Sequence, residues 1–153
     1  MRYMGLDYGS KTVGVALTDE TGTIARGLET IRRPVEKRLR RTLARIEELI
    51  VLHNVGGLVV GLPLNMDGSE GERAEKVRVF ADKLMRRTGL PLHFMDERLT
   101  TVEAYEILDS VDIRDEKSRQ EKVDSIAAAV ILEDFLNQSR KDSDPKWKKS
   151  ASH

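Results

Sequence analysis

Three acidic side chains, far apart in the chain, are the residues best able to do chemistry. The first, Asp7, interrupts the apolar stretch that begins the chain and is flanked by Gly5 and Gly9. A carboxylate inside a central strand is costly unless a partner or a cation compensates it. Glycines on either side allow a ligand or another backbone to approach it closely. The alternative is a carboxylate that accepts the turn amides of Gly9 or Ser10, and this segment alone does not separate the two interpretations.

The second candidate is the acidic pair Asp96 and Glu97, which is followed directly by Arg98. The pair comes at the end of a predicted strand, and the carboxyl ends of strands are where open α/β sheets place their sites. Arg98 has the fork geometry that suits a phosphate. The alternative is a pair of acids at a helix entry, helped by a Thr100 cap.

The third candidate, Asp124, is predicted in the first turn of the last helix. Acids are favoured there by the helix dipole without any further function, and this alternative is the stronger one for Asp124 taken alone. However, three alanines follow at positions 127 to 129. Such small side chains would let the helix lie close to the sheet and bring Asp124 near the first strand.

Two further features could contact an anionic substrate. The loop Gly61–Gly68, which contains Asn65, joins a buried strand to a helix and could present amides to a phosphate. It is equally compatible with an ordinary strand-to-helix connection. A cluster of basic residues around the first helix is the densest positive patch available to a nucleic-acid backbone, although such a cluster is usually just a solvated face. Its members are Arg32, Arg33, Lys37, Arg38, Arg40, Arg41 and Arg45.

Periodicity and turn residues predict the elements that position these side chains. The predicted strands are Arg2–Tyr8, Thr12–Thr18, Thr23–Ile31, Leu58–Val60 and Leu92–Asp96. One helix opens at Pro34 and continues to His53, and a second begins at a Ser69/Glu72 capping box and ends before Gly89. A third helix spans Thr100 to Asp109, a loop covers Val111–Arg119, and the last helix is Lys122–Gln138. A hairpin meander followed by alternating strands and helices indicates an α/β fold, a mixed sheet with helices on its faces.

Composition narrows the function classes. The chain has 153 residues, no cysteine and three histidines at no recognisable ligand spacing, which disfavours thiol chemistry and a histidine zinc site. The 26 basic and 26 acidic side chains balance, so attraction to nucleic acid must be local. No signal peptide or membrane span is recognisable, so we expect a cytoplasmic protein. A domain of residues 1–138 and a disordered polar tail over 139–153 are predicted.

Four motifs together resemble the bacterial YqgF/RuvX family. They are Met4–Ala16, Gly61–Gly68, the segment Asp96–Thr101, and Lys122–Ala128, and the resemblance covers residues 2 to about 138. It implies a ribonuclease-H-like fold related to Holliday-junction resolvases. It further implies a nuclease that matures the 5′ end of the small-subunit (16S) ribosomal RNA precursor, with nucleic acid and ribosomal particles as partners and no membrane.

By that resemblance, Asp7, Glu97 and Asp124 are the catalytic carboxylates and bind Mg²⁺ or Mn²⁺. Ser10, Lys11, Asn65 and Arg98 are expected to contact the substrate. Hard oxygen ligands select such cations, and two of them about 3.5–4 Å apart can activate water and stabilise the leaving oxyanion. Related resolvases have a fourth acid one helical turn after Asp124, where this chain has Ala127 and Ala128.

Other function classes remain open at this point. A DNA junction resolvase is the alternative with the same chemistry, and a non-catalytic nucleic-acid-binding module is the alternative without it. An actin- or sugar-kinase-like phosphotransferase shares the Asp7–Ser10 hairpin pattern, but it needs two such domains around ATP and a glycine-rich adenosine loop. A chain of this length does not supply them.

Overall fold

The computed structural model describes residues 1–96 and 116–143. Five strands are present in this part of the chain: β1 (Tyr3–Tyr8), β2 (Thr12–Thr18), β3 (Ala25–Arg32), β4 (Gly57–Leu62) and β5 (Leu92–Asp96). Three helices accompany them: α1 (Arg40–His53), α2 (Glu72–Thr88) and α3 (Glu116–Ser143). No helix within the described ranges combines the length and apolar character that a membrane crossing requires.

The strands form one mixed sheet in the order β3-β2-β1-β4-β5, so β1 is central, as predicted. The first three strands make an antiparallel meander, and β4 and β5 run parallel to β1. The turn between β1 and β2 is closed by a 2.7 Å hydrogen bond from the Gly9 amide to the Thr12 carbonyl. Because β1, β4 and β5 are parallel, their carboxyl ends meet at the same edge of the sheet.

Helices cover both faces of the sheet, which confirms the predicted architecture. On one face, Leu6 and Val15 belong to a core that includes Ile46 of α1 and Phe80 of α2. On the other face, the core is formed with Ala128, Ile131 and Leu132 of α3. All six residues of β4 are buried, as expected for an interior strand of a sheet covered on both sides.

The start of α1 was predicted wrongly. The helix begins at Arg40 rather than at Pro34, and residues 34–37 form bends and a turn. Arg33 explains the difference, because its buried guanidinium is tied to two carbonyls. Its Nε donates to the Glu36 carbonyl at 3.0 Å and its Nη2 donates to the Gly9 carbonyl at 2.5 Å. These bonds hold the segment against the β1–β2 turn, in competition with a helical turn.

The predicted capping box of α2 is also wrong. The helix begins after Gly71, which makes no side-chain cap, and Ser69 lies outside it. The hydroxyl of Ser69 instead donates to Asp67 Oδ1 at 2.6 Å, within the preceding loop. The end of α2 is as predicted, because Gly89 adopts a left-handed conformation with φ of +68° and its amide bonds to Met85.

Helix α3 begins at Glu116, six residues before the predicted start, so residues 116–119 are helical rather than loop. It continues to Ser143, so residues 139–143 are helical although they were assigned to the disordered tail. The prediction for residues 144–153 lies outside the described part of the chain and stays a prediction. The predicted helix from Thr100 to Asp109, with its Thr100/Glu103 capping box, also lies outside the described residues.

Candidate active site

Asp7 lies on the face of the sheet that α3 covers. Its neighbours Leu6 and Tyr8 are buried in the core with α1 and α2, and successive side chains of a strand point to opposite faces. Gly5 lies on the same side as Asp7 and shows how close the helix is. A Cβ added to Gly5 would be 2.8 Å from the carbonyl oxygen of Ala128. Asp7, which is half-buried, therefore projects into the space beside α3.

Asp124 lies over the residue that pairs with Asp7. In the antiparallel register of β1 and β2, Asp7 is directly opposite Gly14. A Cβ added to Gly14 would be 1.9 Å from the main-chain oxygen of Asp124 and 2.4 Å from its carbonyl carbon. Cross-strand partners point to the same face of a sheet. The structure therefore brings Asp7 and Asp124 to one face and one region of it, and Oδ2 of Asp124 is buried from solvent.

The earlier start of α3 removes the alternative explanation of Asp124. The helix begins at Glu116, so Asp124 is in its third turn rather than its first. The dipole effect is limited to the terminal turn of a helix. A preference of acids for helix N-termini therefore does not account for this residue.

Close packing of α3 depends on glycines of the sheet, of which only Gly5 was predicted to allow a close approach. Besides Gly5 and Gly14, Gly27 of β3 faces the helix, and a Cβ there would be 2.9 Å from Ser125 Oγ. The predicted contribution of the helix is also present, since Ala127 and Ala128 are buried. The signal in the sequence was the isolated glycine inside each of β2 and β3, which indicates a close approach of another backbone.

Glu97 and Arg98 lie outside the described residues. β5 ends at Asp96, which is exposed and directly precedes Glu97 in the chain. Leu6, Val60 and Phe94 share one row across the parallel strands, so β5 ends at the same edge of the sheet as β1. Within residues 1–96 and 116–143, no three His, Asp or Glu side chains are clustered as metal ligands would be.

The β1–β2 turn carries two of the predicted substrate contacts. Ser10 and Lys11 are exposed and follow β1 directly, at the same end of the strand as Asp7. The turn is held rigidly, because the Arg33 amide donates to the Lys11 carbonyl at 2.8 Å. Lys11 is thus placed where a cation could reach a phosphate near the acidic site, and its role remains a prediction.

The loop after β4 is occupied with its own hydrogen bonds. The Asn65 side-chain amide donates to Ser69 Oγ at 3.0 Å, and the amides of Asn65, Gly68 and Ser69 all donate to acceptors inside the loop. The first turn of α2 also carries Glu72 and Glu75, which disfavour an anion there. These contacts favour the ordinary connection over a phosphate cradle. Asn65 is exposed, and a substrate contact by it remains a prediction.

The basic cluster divides into structural and exposed members. Arg33 is buried beside the Tyr8 ring, with its guanidinium carbon 4.6 Å from the ring centroid. Arg45 forms ion pairs with Glu29 at 2.8 Å and Glu48 at 3.0 Å. Arg45 is therefore not an open phosphate contact. The exposed members are Arg32, Lys37, Arg38, Arg40 and Arg41.

Glu36, the acid within this basic region, is engaged with α2. Its carboxylate pairs with Arg73 Nη1 at 3.1 Å and with Lys76 Nζ at 3.4 Å. Burial raises the pKa of the Glu36 carboxyl, but Lys76 and Arg73 together lower it more, so the pKa lies below its ordinary value. Glu36 therefore remains ionised and directs its charge toward α2.

The two carboxylates beside α3 are hard oxygen donors, the type that Mg²⁺ and Mn²⁺ prefer. Two carboxylates brought together on a half-buried face would repel each other, and a divalent cation would relieve that repulsion. The positions of Asp7 and Asp124 therefore fit a divalent cation. Among the described residues no acid stands one turn further along α3, where Ala127 and Ala128 are buried.

A family model described as "RuvX: Holliday junction resolvase" matches residues 1–138. The chain belongs to the RuvX family. Curated relatives extend the match along almost their whole length. A protein of Agathobacter rectalis is 52% identical over 143 residues, covering 92% of this chain and 99% of the relative. One of Moorella thermoacetica is 50% identical over 137 residues, covering 90% and 95%. Each carries the name "Putative pre-16S rRNA nuclease".

Solved structures support the RuvX assignment at the level of the fold. RuvC of Thermus thermophilus, solved with a Holliday junction substrate, aligns with a TM-score of 0.57 at 18% identity, covering 92% of this chain and 96% of RuvC. The fowlpox virus Holliday junction resolvase aligns with a TM-score of 0.54 at 13% identity, covering 90% and 99%. The mixed sheet of this RuvX chain is therefore the ribonuclease-H-like fold of the resolvases.

Proposed function

We propose that this RuvX-family chain is a metal-dependent nuclease that hydrolyses phosphodiester bonds. Asp7, Glu97 and Asp124 are its metal-binding and catalytic carboxylates. The observation that carries the proposal is the contact of the Asp124 backbone with Gly14, the direct partner of Asp7. Two acids separated by more than a hundred residues meet on one face because glycines of the sheet leave room for the helix.

The chemistry assigned to each group follows from its position. Asp7 is on the rigid central strand and Asp124 is on a helix packed against it, so both carboxylates are held in fixed directions. Glu97 follows β5 directly, and β5 ends at the same edge of the sheet as β1. We therefore propose Glu97 as the third ligand. Divalent ions held by these carboxylates would supply activation of a water molecule and stabilisation of the leaving oxyanion. Lys11 and Arg98 are proposed to orient the phosphodiester by charge-assisted hydrogen bonds.

The substrate we propose is the small-subunit ribosomal RNA precursor, at its 5′ end. Relatives about half identical to this chain carry that activity in their names, whereas the junction-binding RuvC structure is only 18% identical. The family description favours a four-way DNA junction as the second candidate substrate. We further propose that the protein acts in the cytoplasm, where ribosomal precursor particles would be its partners.

Cleavage assays on the two substrates side by side test this proposal. We expect cleavage of precursor RNA that requires Mg²⁺ or Mn²⁺ and stops with a chelator. Asp7→Asn, Glu97→Gln and Asp124→Asn should each abolish it. Full cleavage by Asp7→Asn would contradict the assigned mechanism, and cleavage of the junction alone would reassign the substrate.

The chain offers matched controls for two of these variants. Asp96→Asn changes the exposed acid that precedes Glu97. Asp134→Asn changes a partly buried acid ten residues after Asp124 in the same helix, roughly 15 Å further along its axis. Both controls should cleave like the wild type. If the wild type bound RNA but did not cleave it with any of the metals tested, the chain would be a binding module instead.

A further inference from the structure

A cationic groove lies on the opposite face of the sheet from Asp7 and is not explained by the acidic site. It has a volume of about 730 Å³ and runs between the segment after β3, the start of α1 and the last turns of α2. Eight Lys or Arg side chains line it and no acid does. So many like charges around one concavity repel each other, and an anion would relieve that repulsion.

Most of these cations have no acidic partner in the part of the chain that the structure describes. Arg87 pairs with Glu47, and Glu36, which lies near the groove, pairs with Arg73 and Lys76. Five exposed members of the groove form no ion pair with any described residue: Lys37, Arg38, Arg40, Arg41 and Lys83. Their charges are available to a ligand.

The start of α1 adds backbone donors to the same groove. Its N-cap is Leu39, which makes no side-chain cap, and its first turn carries no acid. Arg40 and Arg41 stand there instead, where the helix dipole disfavours cations. Local stability therefore does not explain these residues, whereas an anion at this helix end would satisfy both the dipole and the free amides.

A buried arginine supplies an independent observation. Arg33 lines the groove and is 5% exposed, and two of its nitrogens donate to carbonyls. Its Nη1 is buried and has no acceptor among the described residues. A buried donor without an acceptor is costly, and a phosphate oxygen would be a suitable acceptor.

We infer that this groove binds the phosphodiester backbone of the same nucleic-acid strand whose scissile bond lies at the acidic site, an inference that rests on the proposed function. The two sites are connected by the β1–β2 turn. Asp7 and Tyr8 are consecutive and point to opposite faces, and the Arg33 guanidinium contacts the Tyr8 ring. Exposed Lys11 lies on the turn between them, so a strand that crosses the turn meets a cation between the groove and the acidic site.

The decisive experiment measures binding of a fluorescein-labelled single-stranded RNA 20-mer in EDTA, over a range of salt concentrations. We expect Lys37→Gln/Arg38→Gln to lower the slope of log K against log salt by about 1.4, because each phosphate contact on a single strand contributes about 0.7. If the variant and the wild type bind equally at 1 M salt, this change in slope corresponds to roughly 25-fold weaker binding by the variant at 0.1 M salt. The matched control is Arg26→Gln/Arg86→Gln, which removes two exposed charges outside the groove lining.

Each outcome decides the inference. Equal RNA affinity and equal salt slope for the groove variant and the control would overturn it. It would also be overturned if the groove variant lost binding of tripolyphosphate but kept binding of RNA. Cleavage by the wild type, measured separately with Mg²⁺, keeps the proposed function distinct. If the wild type cleaves and the groove variant binds normally, only the groove inference fails. If RNA binding needs the groove but no metal supports cleavage, only the nuclease proposal fails.

Discussion

Adding one methyl group at Gly14 should separate the two acids without changing either carboxylate side chain. A Cβ at Gly14 would lie 1.9 Å from the main-chain oxygen of Asp124, and the next nearest atoms are the carbonyl carbon and the Cα of the same residue. All three belong to the helix backbone, so no side-chain rotation relieves the overlap. To change a 1.9 Å separation into an ordinary 3.4 Å contact, α3 must shift by about 1.5 Å.

A shift of this size predicts a large effect on catalysis and a moderate one on stability. Misplacement of a catalytic group by about 1 Å can cost roughly 100-fold in rate. We therefore expect Gly14→Ala to lose at least about 100-fold in metal-dependent cleavage. Overpacking typically lowers the free energy of unfolding by about 1–3 kcal/mol, so the variant should remain folded at moderate temperature.

The assay compares single-turnover cleavage of precursor RNA with thermal unfolding followed by circular dichroism. Gly56→Ala is the matched control, because the three atoms nearest to a Cβ there all belong to the flexible and exposed Met1 side chain. That control should cleave and unfold like the wild type. If Gly14→Ala cleaved within a few-fold of the wild type, the argument that the Gly14 contact sets the distance between Asp7 and Asp124 would be refuted.

Three further predictions concern stability and are checked by denaturant unfolding. Gly89→Ala places a Cβ on a residue with φ of +68° and should lower the free energy of unfolding by about 1 kcal/mol. Phe80→Ala removes a fully buried ring whose centroid is 4.6 Å from that of Tyr8. It should lower the free energy of unfolding by about 3–5 kcal/mol. A smaller loss would mean that α1 and α2 collapse into the space. The Asp19 carboxylate accepts hydrogen bonds from the Thr21 hydroxyl and two main-chain amides, which lower its pKa. That contribution should be complete above the ordinary aspartate pKa of about 4 and be lost as the pH falls toward the lowered value, and Asp19→Asn should remove that part of the acid sensitivity.

The strands were predictable because local signals determine them. Thr12–Thr18 and Leu92–Asp96 were predicted with the bounds that the structure has. Thr12–Thr18 lies between the turns at Gly9 and Gly22, and Leu92–Asp96 begins directly after Gly89 and Pro91. The end of α2 was predictable for the same reason, since Gly89 adopts the left-handed conformation that favours glycine.

The helix starts were not predictable, because hydrogen bonds outside the helices compete with the local helix signals. Arg33 bonds to a carbonyl of the β1–β2 turn, and that long-range contact competes with helix formation at Pro34. Ser69 has a capping partner in sequence, yet it bonds to Asp67 within its own loop. In both places a competing hydrogen bond overrides the local pattern.

The three acids were proposed from sequence, but the reason why Asp124 lies near Asp7 was not predictable. The alanines after Asp124 indicated a close helix, whereas the space itself comes from Gly14, opposite Asp7 in a different strand. That pairing depends on the register of the β1–β2 hairpin. Only the three-dimensional structure shows that Gly14 of β2 leaves the space in which Asp124 approaches Asp7 of β1.

The alternation of β1 also explains why one short segment could serve two sites. Asp7 faces α3 and Tyr8 faces α1 and α2, while the turn after them is fixed by the bonds of Arg33 to Gly9 and Lys11. A polyanion held in the groove would therefore be held relative to Asp7 by a rigid central strand, with no hinge between them. Binding energy from remote phosphates can then contribute to positioning the scissile bond, so loss of the groove should affect cleavage of long RNA more than cleavage of a short one.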